Sequence, residues 1–444
     1  MLILEMFLYI FNFPLLAGIG SCYLLGAFLG IKLFLSKQYQ NMISKMVSKH
    51  VIWNIVIWHS ILFSLSLLMI VIHETYDMSF TTTLVNQGVQ LVIGILLYGD
   101  FCLKKKEGLA IEYLLIAFVV QAFIQTVSFI SPQINEFLNI FREASVVEIA
   151  SNQYLGTRGL ALVGGGFFSL SAAYAIFFVI LVEKRRDIKL GKIVSAIILG
   201  VLFFGALSAG RTALVGIAAA IGIMFVENFV DIVKQFKNNG IVINTKLKKR
   251  TVIILVLILL VVLVVVLLIL NDVLGVSIGE EIQRKINYFI IYAFELFYNL
   301  ARGDGFTTSS TATLSNMYFE VPVSTFFFGD GWYTTASGSY YMGTDAGYMR
   351  NILFFGIIGF FCLLAYQIQF FSYKQNSSRR FVSIILIALL LVLHIKGDVI
   401  GFLQITQRML LIRALAETMD GNYLKGKNKY VCKENYGKYM LHNI

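Results

Sequence analysis

The sequence has little charge and little proline for its length. Only 14% of its 444 residues are Asp, Glu, Lys or Arg, three are proline, and 58% are hydrophobic. The mean hydropathy is +0.78. A water-soluble domain of this composition would have too few polar side chains to cover its surface. The composition therefore predicts an all-α polytopic membrane protein. The net charge of +11 does not indicate a nucleic acid partner, because charge in such a protein must be judged loop by loop.

Cysteine and histidine are also scarce, and neither residue type forms a cluster. The four cysteines and the five histidines stand far apart along the chain. This spacing excludes a disulfide framework and the common zinc motifs. The sequence contains no Walker loop, no HExxH motif and no GxSxG motif. We therefore expect no metal and no cofactor.

Long apolar runs divide the chain into candidate membrane spans. A span needs about 20 mostly apolar residues, and we predict about eleven spans (roughly ten to twelve) in one integral membrane domain over residues 1–444. The predicted spans cover 12–35, 51–72, 83–103, 109–130, 160–182, 193–209, 212–230, 251–270, 351–371, 381–396 and 399–416. The N-terminal residues lack the basic segment of a signal peptide and are expected to begin the first span. Whether that span is one helix or is broken around Pro14 stays open.

The basic residues alternate between the two sides of the predicted bundle. One set of connections holds most of the lysines and arginines, in the ranges 37–49, 104–106, 184–192, 234–250 and 374–380 and in the basic tail 417–444. The other set holds Arg142, Arg158, Arg211, Arg284, Lys285, Arg302 and Arg350. The positive-inside rule then predicts a cytoplasmic tail and an N-terminus outside. The two long loops, 131–159 and 271–350, are predicted to lie outside, where long loops often carry function.

Four arginines of the predicted outer side stand where spans begin or turn. Arg158 precedes one span, Arg211 lies in a tight turn, Arg302 lies within the large loop, and Arg350 opens the span at 351–371. Arginine binds phosphate oxygens in pairs and stays charged in an apolar setting. A glycine near each one would let a bulky headgroup approach the backbone. The set predicts a diphosphate-binding site at the outer surface. For any single arginine, pairing with lipid phosphates or nearby acids is an equal alternative.

The large loop is rich in acids and tyrosines. We expect Trp332, Tyr333 and Tyr348 to contact sugar rings, with an interfacial aromatic belt as the alternative. Residues 277–303 predict an interfacial or re-entrant helix that brings Arg302 to the lipid surface. Within it, Glu295 is either a paired structural charge or the catalytic base.

Ionisable residues also interrupt the last apolar runs. Lys396 and Asp398 lie at the outer end of one run, and Arg408 lies inside the last span. An ionisable residue in a span is a functional candidate by default. The alternative for Lys396 and Asp398 is a hinge pair.

Four short segments carry a resemblance to a known family. They are "LGTRGL" (155–160), "SAGRTALVG" (208–216), "FFFGDGWY" (326–333) and "DAGYMRNILFFGIIG" (345–359). With the predicted topology, they make most of the chain similar to the Wzy-type O-antigen and capsule polymerases, which are similar in turn to the O-antigen ligases. The family pattern of a Gly-Asp-Gly turn followed by Asp-x-Gly-Tyr before a late span is present here.

The resemblance implies a metal-independent glycosyltransferase of the bacterial plasma membrane. Such an enzyme moves a glycan from undecaprenyl diphosphate onto the terminal sugar of another lipid-linked repeat unit at the outer face. Arg211, Arg302 and Arg350 match arginines expected at the lipid diphosphate, and Asp345 matches the acid before the late span. The implied partners are the lipid-linked oligosaccharides, membrane lipid, and a chain-length regulator and flippase of the same pathway.

Three alternatives remain open. Ligases of this superfamily place a histidine in the large loop, and residues 271–350 contain none, which favours a polymerase and leaves the base unidentified. A flippase for lipid-linked oligosaccharides is disfavoured by the absence of an internal repeat and by the long outer loops. A metal-using transferase is disfavoured because "HETYDMS" (73–79) lacks the paired acids of that class.

Overall fold

The computed structural model describes residues 1–15, 18–154, 158–185, 191–239, 280–303, 305, 307–373 and 377–419. Within these ranges the chain is helical and forms no β-strand. The predicted span at 251–270 and the tail residues 420–444 lie outside the described residues.

The helices of the described ranges follow the apolar runs. In chain order they are α1 (Leu2–Phe11), α2 (Ser21–Leu35), α3 (Lys37–Val47), α4 (His50–Ile72), α5 (Ser79–Leu103), α6 (Ala110–Ile130), α7 (Pro132–Asn139), α8 (Ala144–Tyr154), α9 (Phe167–Lys184), α10 (Lys192–Ala209), α11 (Ala213–Asn239), α12 (Glu280–Arg302), α13 (Ser309–Ser315), α14 (Val323–Phe328), α15 (Gly347–Gln369), α16 (Ser377–His394) and α17 (404–419). Among the described residues, six helices are long and apolar enough to cross a membrane: α4, α5, α6, α9, α11 and α15. The chain is an all-α protein of the multi-pass membrane class.

One end of the bundle gathers basic side chains, and we call it the basic end. Lys184 and Arg379 both pair with Glu417 near the end of α17. In the same region, Arg413 forms two hydrogen bonds of 2.9 Å with Glu183. These pairs join the ends of α9 and α17 to the start of α16.

The start of α1 lies at the basic end. Lys104 lies 2.5 Å from Asp100 and 3.6 Å from Glu5, and Lys32 pairs with the same Asp100. The N-terminal helix therefore begins beside the basic connection at 104–106. The prediction that the N-terminus lies on the side opposite the basic loops is wrong.

The reason is a helical hairpin made by α1 and α2. The sequence left open whether the predicted span at 12–35 is one helix or is broken around Pro14. The structure has the break there, and α2 starts only at Ser21. The side chain of Asn12, in left-handed backbone at φ 41°, accepts a hydrogen bond from the Cys22 N–H at 3.0 Å. Ten and 15 helical residues extend about 15 and 22 Å, less than the roughly 30 Å hydrocarbon core. The residues on both sides of the turn are apolar, so hydropathy alone does not mark it.

Helix α15 begins earlier than the predicted span at 351–371, and it is broken inside. At Gly356 the backbone has φ 67° and ψ 178°, which interrupts the helical hydrogen bonds. The freed carbonyl of Leu353 accepts a hydrogen bond from the Asp330 N–H at 2.6 Å. A Cβ on Gly356 would lie 2.2 Å from the carbonyl oxygen of Phe327, so only glycine fits there. The break seats the Gly-Asp-Gly turn of the large loop on the helix.

Other predicted elements are confirmed as helices with shifted ends. The predicted spans at 51–72, 83–103, 109–130 and 193–209 correspond to α4, α5, α6 and α10. The predicted helix over 277–303 corresponds to α12. The last two predicted spans are separated by a longer turn, because α16 ends at His394 and α17 begins only at 404.

Candidate functional site

Cationic side chains from three segments converge at the end of the bundle opposite the basic end. The guanidinium carbons of Arg158 and Arg211 lie 5.3 and 4.6 Å from the ring centroid of Tyr292. The Lys396 ammonium donates a hydrogen bond to Thr212 Oγ1 at 3.3 Å, next to Arg211 in the chain. The pKa of Lys396 is lowered to about 8, mainly because the side chain is buried and in part because the charges of Arg158 and Arg211 act on it. We call Arg158, Arg211 and Lys396 the cationic cluster.

Residues of the large loop hold the Arg211 side chain in place. Its guanidinium pairs with Glu295 of α12 and donates a hydrogen bond to Ser310 at 2.9 Å. Glu295 also accepts the backbone N–H of Ser309 at 2.8 Å. Burial alone would raise the pKa of Glu295, but the hydrogen bonds from Ser309 and Arg211 lower it below its usual value. This geometry favours the interpretation of Glu295 as a paired structural charge that orients Arg211.

Arg350 lies between two aromatic rings. Its guanidinium carbon is 3.8 Å from the ring centroid of Tyr333 and 3.9 Å from that of Tyr340. The residue is only 6% exposed, and its Nε has no hydrogen-bond partner among the described residues. Cation–π contacts stabilise a buried guanidinium without neutralising it. Arg350 therefore keeps its charge available to an anionic group.

Asp345 lies between Arg350 and the cationic cluster. Its half-buried carboxylate makes no hydrogen bond within the described part of the chain, and the positive charges of Arg350 and Lys396 act on it. Burial raises the pKa of Asp345, and the two cations counter this only in part. A carboxylate with a raised pKa and unused acceptor oxygens is suited to exchange a proton with a ligand.

Asp398 is part of the same site, and its carboxylate does not pair with Lys396. Its carboxylate accepts the Tyr333 hydroxyl at 2.5 Å and the Asn351 amide at 3.0 Å. Burial raises the pKa of Asp398 to about 6, although Arg350 acts in the opposite direction. Lys396 and Asp398 do not form the hinge pair that the sequence left open as an alternative, because Lys396 binds Thr212 and Asp398 binds Tyr333 and Asn351.

Asp77 is a site residue that sequence reasoning undervalued. Its Oδ2 accepts the backbone N–H groups of Tyr333 and Thr334 at 2.6 and 2.7 Å. Its Oδ1 accepts the Ser79 backbone N–H at 3.0 Å and the Ser79 hydroxyl at 2.6 Å. Burial alone would raise the pKa of Asp77, but hydrogen bonds from Ser79, Thr334 and Tyr333 lower it. The only local signal is an Asp two residues before a helix, a common turn pattern.

His394 is a second residue that the sequence left without a role. It is fully buried, and its Nδ1 accepts the backbone N–H groups of Val399 and Ile400 at 3.1 and 3.2 Å. His394 therefore holds the turn between α16 and α17, which carries Lys396 and Asp398.

The remaining predicted residues are spread around this centre. Trp332 stacks on Tyr341 with ring centroids 6.2 Å apart. Tyr348 donates its hydroxyl to the Leu391 carbonyl at 3.0 Å, and its ring packs on α16. Arg302 is exposed at the end of α12, and no contact among the described residues joins it to the cationic cluster.

Two further observations concern metal binding and similarity to known proteins. Among the described residues, no three His, Cys, Asp or Glu side chains are grouped so that they could hold a metal ion. The fold and the site together define an all-α multi-pass membrane protein with an arginine-rich polar site at one end. No protein-family model matches the chain, and no curated protein or solved structure is significantly similar to it.

Proposed function

We propose that this protein polymerises undecaprenyl-diphosphate-linked oligosaccharide repeat units into a surface polysaccharide. The reaction takes place at the outer face of a bacterial plasma membrane. The proposal includes about ten spans, an even number, with the start of α1 and the end of α17 both at the basic, cytoplasmic end. The observation that carries the proposal is the juxtaposition of the cationic cluster and Arg350 around Asp345 at the opposite end. That end is poor in basic residues by sequence, so clustered cations there call for an anionic ligand.

The chemistry follows from the charges. The hydroxyl of the terminal acceptor sugar attacks the anomeric carbon of the donor glycan, and the bond from that carbon to the diphosphate oxygen breaks. Undecaprenyl diphosphate leaves with the bonding electron pair, and Arg211, Lys396 and Arg350 stabilise its developing charge. Asp345 accepts the proton of the attacking hydroxyl, since its carboxylate has free acceptor oxygens.

The aromatic residues divide between two roles. Tyr333 is buried and holds Arg350 and Asp398, so it supports the site without stacking on a sugar. Trp332 is only partly buried, and it remains the candidate for contact with the glycan.

The decisive experiment supplies the purified protein with lipid-linked repeat units and nothing else. A ladder of products, formed also in the presence of a chelator, is the expected result. Products that appear only after a different acceptor is added would replace the polymerase with a ligase. Transfer of intact substrate across a vesicle membrane without bond formation would indicate a flippase. Asp345→Asn is the matched variant, because it keeps the size of the side chain and removes its basicity.

A further inference from the structure

A second unusual arginine lies deep inside the bundle, apart from the site at its end. Arg408 of α17 is only 4% exposed, and its Nε and Nη1 have no hydrogen-bond partner among the described residues. The groups that face it are the side chains of Tyr9, Cys22 and Tyr23, at the turn of the α1–α2 hairpin. Tyrosine and cysteine side chains are neutral near pH 7, so no carboxylate faces this charge within the described residues.

The same helix shows how a buried arginine is otherwise satisfied. Five positions further on, Arg413 forms two hydrogen bonds of 2.9 Å with Glu183 and a third with Ser383 at 3.1 Å. An unpaired buried charge is strongly destabilising, because it has lost its water and gained no counter-charge. Arg408 therefore calls for a compensating group that the described part of the chain does not provide there.

A row of glutamines lies between the site at the end of the bundle and Tyr23, which faces Arg408. Gln90 donates a hydrogen bond to the Tyr23 hydroxyl at 3.3 Å. We call this row the glutamine seam, and it consists of Gln87, Gln90, Gln367, Gln404 and Gln407. Gln87 donates to the Phe402 carbonyl at 2.7 Å, and Gln90 donates to the Gln404 amide oxygen at 2.8 Å. The ring of Phe402 lies 5.7 Å from the guanidinium carbon of Arg350, so the seam begins beside the site.

The seam has unused hydrogen-bonding capacity. The amide oxygens of Gln87, Gln90 and Gln407 are buried and have no hydrogen-bond partner among the described residues, and neither has the amide nitrogen of Gln367. Buried polar atoms of this kind are usually satisfied by ordered water. A row of them offers a hydrated path through an otherwise apolar bundle.

We propose that Arg408 is the centre of an anion-binding site inside the helix bundle, which takes a small inorganic anion that arrives along the glutamine seam. The anion supplies the missing counter-charge and accepts the free Nε and Nη1 hydrogen bonds. Tyr9 and Cys22, which face Arg408, are completely buried, so the proposed site lies away from bulk solvent. The site is independent of the polymerase function proposed above.

The test measures anion-dependent thermal stability of the purified full-length protein in detergent. Sodium chloride or sodium phosphate replaces sodium gluconate at constant ionic strength, and intrinsic fluorescence reports the melting temperature. For the wild type, we expect the melting temperature to rise with the logarithm of the chloride or phosphate concentration above Kd. Whichever of the two salts acts at the lower concentration identifies the ion. Arg408→Met should abolish the dependence, and in gluconate it should melt at or above the temperature of the wild type.

Arg350→Met is the matched control, because Arg350 is also buried with a free Nε but lies in the other site. It should keep the dependence that Arg408→Met removes, and any stabilisation that Arg350→Met does lose belongs to the other site. The proposal is overturned if neither anion stabilises the wild type, or if Arg408→Met loses none of the dependence. Should Arg408→Met fail to fold, Arg408→Lys decides: its single ammonium should shift the midpoint to an about tenfold higher anion concentration, and an unchanged midpoint refutes the site.

Discussion

Replacement of Asp77 by alanine should release one segment of the large loop from the rest of the bundle. The carboxylate accepts the backbone N–H groups of Tyr333 and Thr334 at 2.6 and 2.7 Å, and the Thr334 hydroxyl at 3.1 Å. Tyr333 in turn covers Arg350 and bonds to Asp398. Asp77 therefore positions the aromatic wall of the candidate site although it touches no part of the cationic cluster.

The expected magnitude comes from the two backbone hydrogen bonds. A hydrogen bond to a charged group contributes about 1.5–3 kcal/mol net, and the two together make local opening easier by about 3–4 kcal/mol after allowance for water entering the site. Because every 1.4 kcal/mol or so is tenfold, the opening equilibrium of residues 331–334 should increase roughly 100- to 1,000-fold. The Ser79 contacts are left out, since they lie within the same turn as Asp77.

Amide hydrogen exchange of the full-length protein, followed by mass spectrometry, measures this opening directly. Peptides that contain Tyr333 and Thr334 should exchange faster by the stated factor, while the buried segment 170–180 of α9 stays protected. Thr75→Val provides a graded comparison. It removes one neutral hydrogen bond of 2.9 Å to the Gly331 carbonyl, and about 1 kcal/mol corresponds to a roughly fivefold change.

Two results would refute this reasoning. Unchanged protection of residues 331–334 in Asp77→Ala would show that Asp77 does not hold the segment. An equal loss of protection throughout the bundle would mean that Asp77 contributes to global stability and not to local positioning.

Three further predictions concern the candidate site and the broken helix. Arg211→Ala should reduce ladder formation by roughly 100-fold or more, whereas exposed Arg302→Ala should change it only a few-fold; equal losses would contradict the role of the cationic cluster. Lys396 should bind the diphosphate only when it is protonated, so activity should fall as pH rises through about 8. Lys396→Arg should remove this alkaline decline, because arginine stays charged, and a pH–rate profile of both proteins measures it. Gly356→Ala should lower the melting temperature, because its Cβ would lie 2.2 Å from a backbone oxygen, whereas Gly222→Ala, in open space, should not; equal melting temperatures would contradict the required break.

Local sequence patterns predicted much of the helical architecture. The apolar runs that became α4, α5, α6 and α10 need no knowledge of their neighbours, because length and composition alone make them helices in an apolar setting. The sequence left the outcome open where one apolar run contained a turn, as around Pro14. Periodicity cannot distinguish one long span from two short helices that pack side by side.

For the candidate site, the sequence identified the charged residues but not the residues that they contact. Arg158, Arg211 and Arg350 stood out because basic residues are rare on their side of the predicted topology. Their partners did not stand out, since Glu295 pairs with an arginine 84 positions away. Asp77 lies in a short loop whose sequence gives no sign that it binds the large loop.

The sequence by itself determined that this is an all-α membrane protein, which helices form in it, and which arginines deserve attention. These conclusions depend on apolar length, turn residues and the local density of charge, all of which are local along the chain. Only the tertiary structure decided that Asp77 holds Tyr333 across 256 positions and that Arg350 lies between two tyrosine rings. It also decided that Arg408 is buried with no counter-charge among the described residues. Such relationships arise when distant helices pack together, and no pattern within one segment encodes the neighbour that the segment will meet.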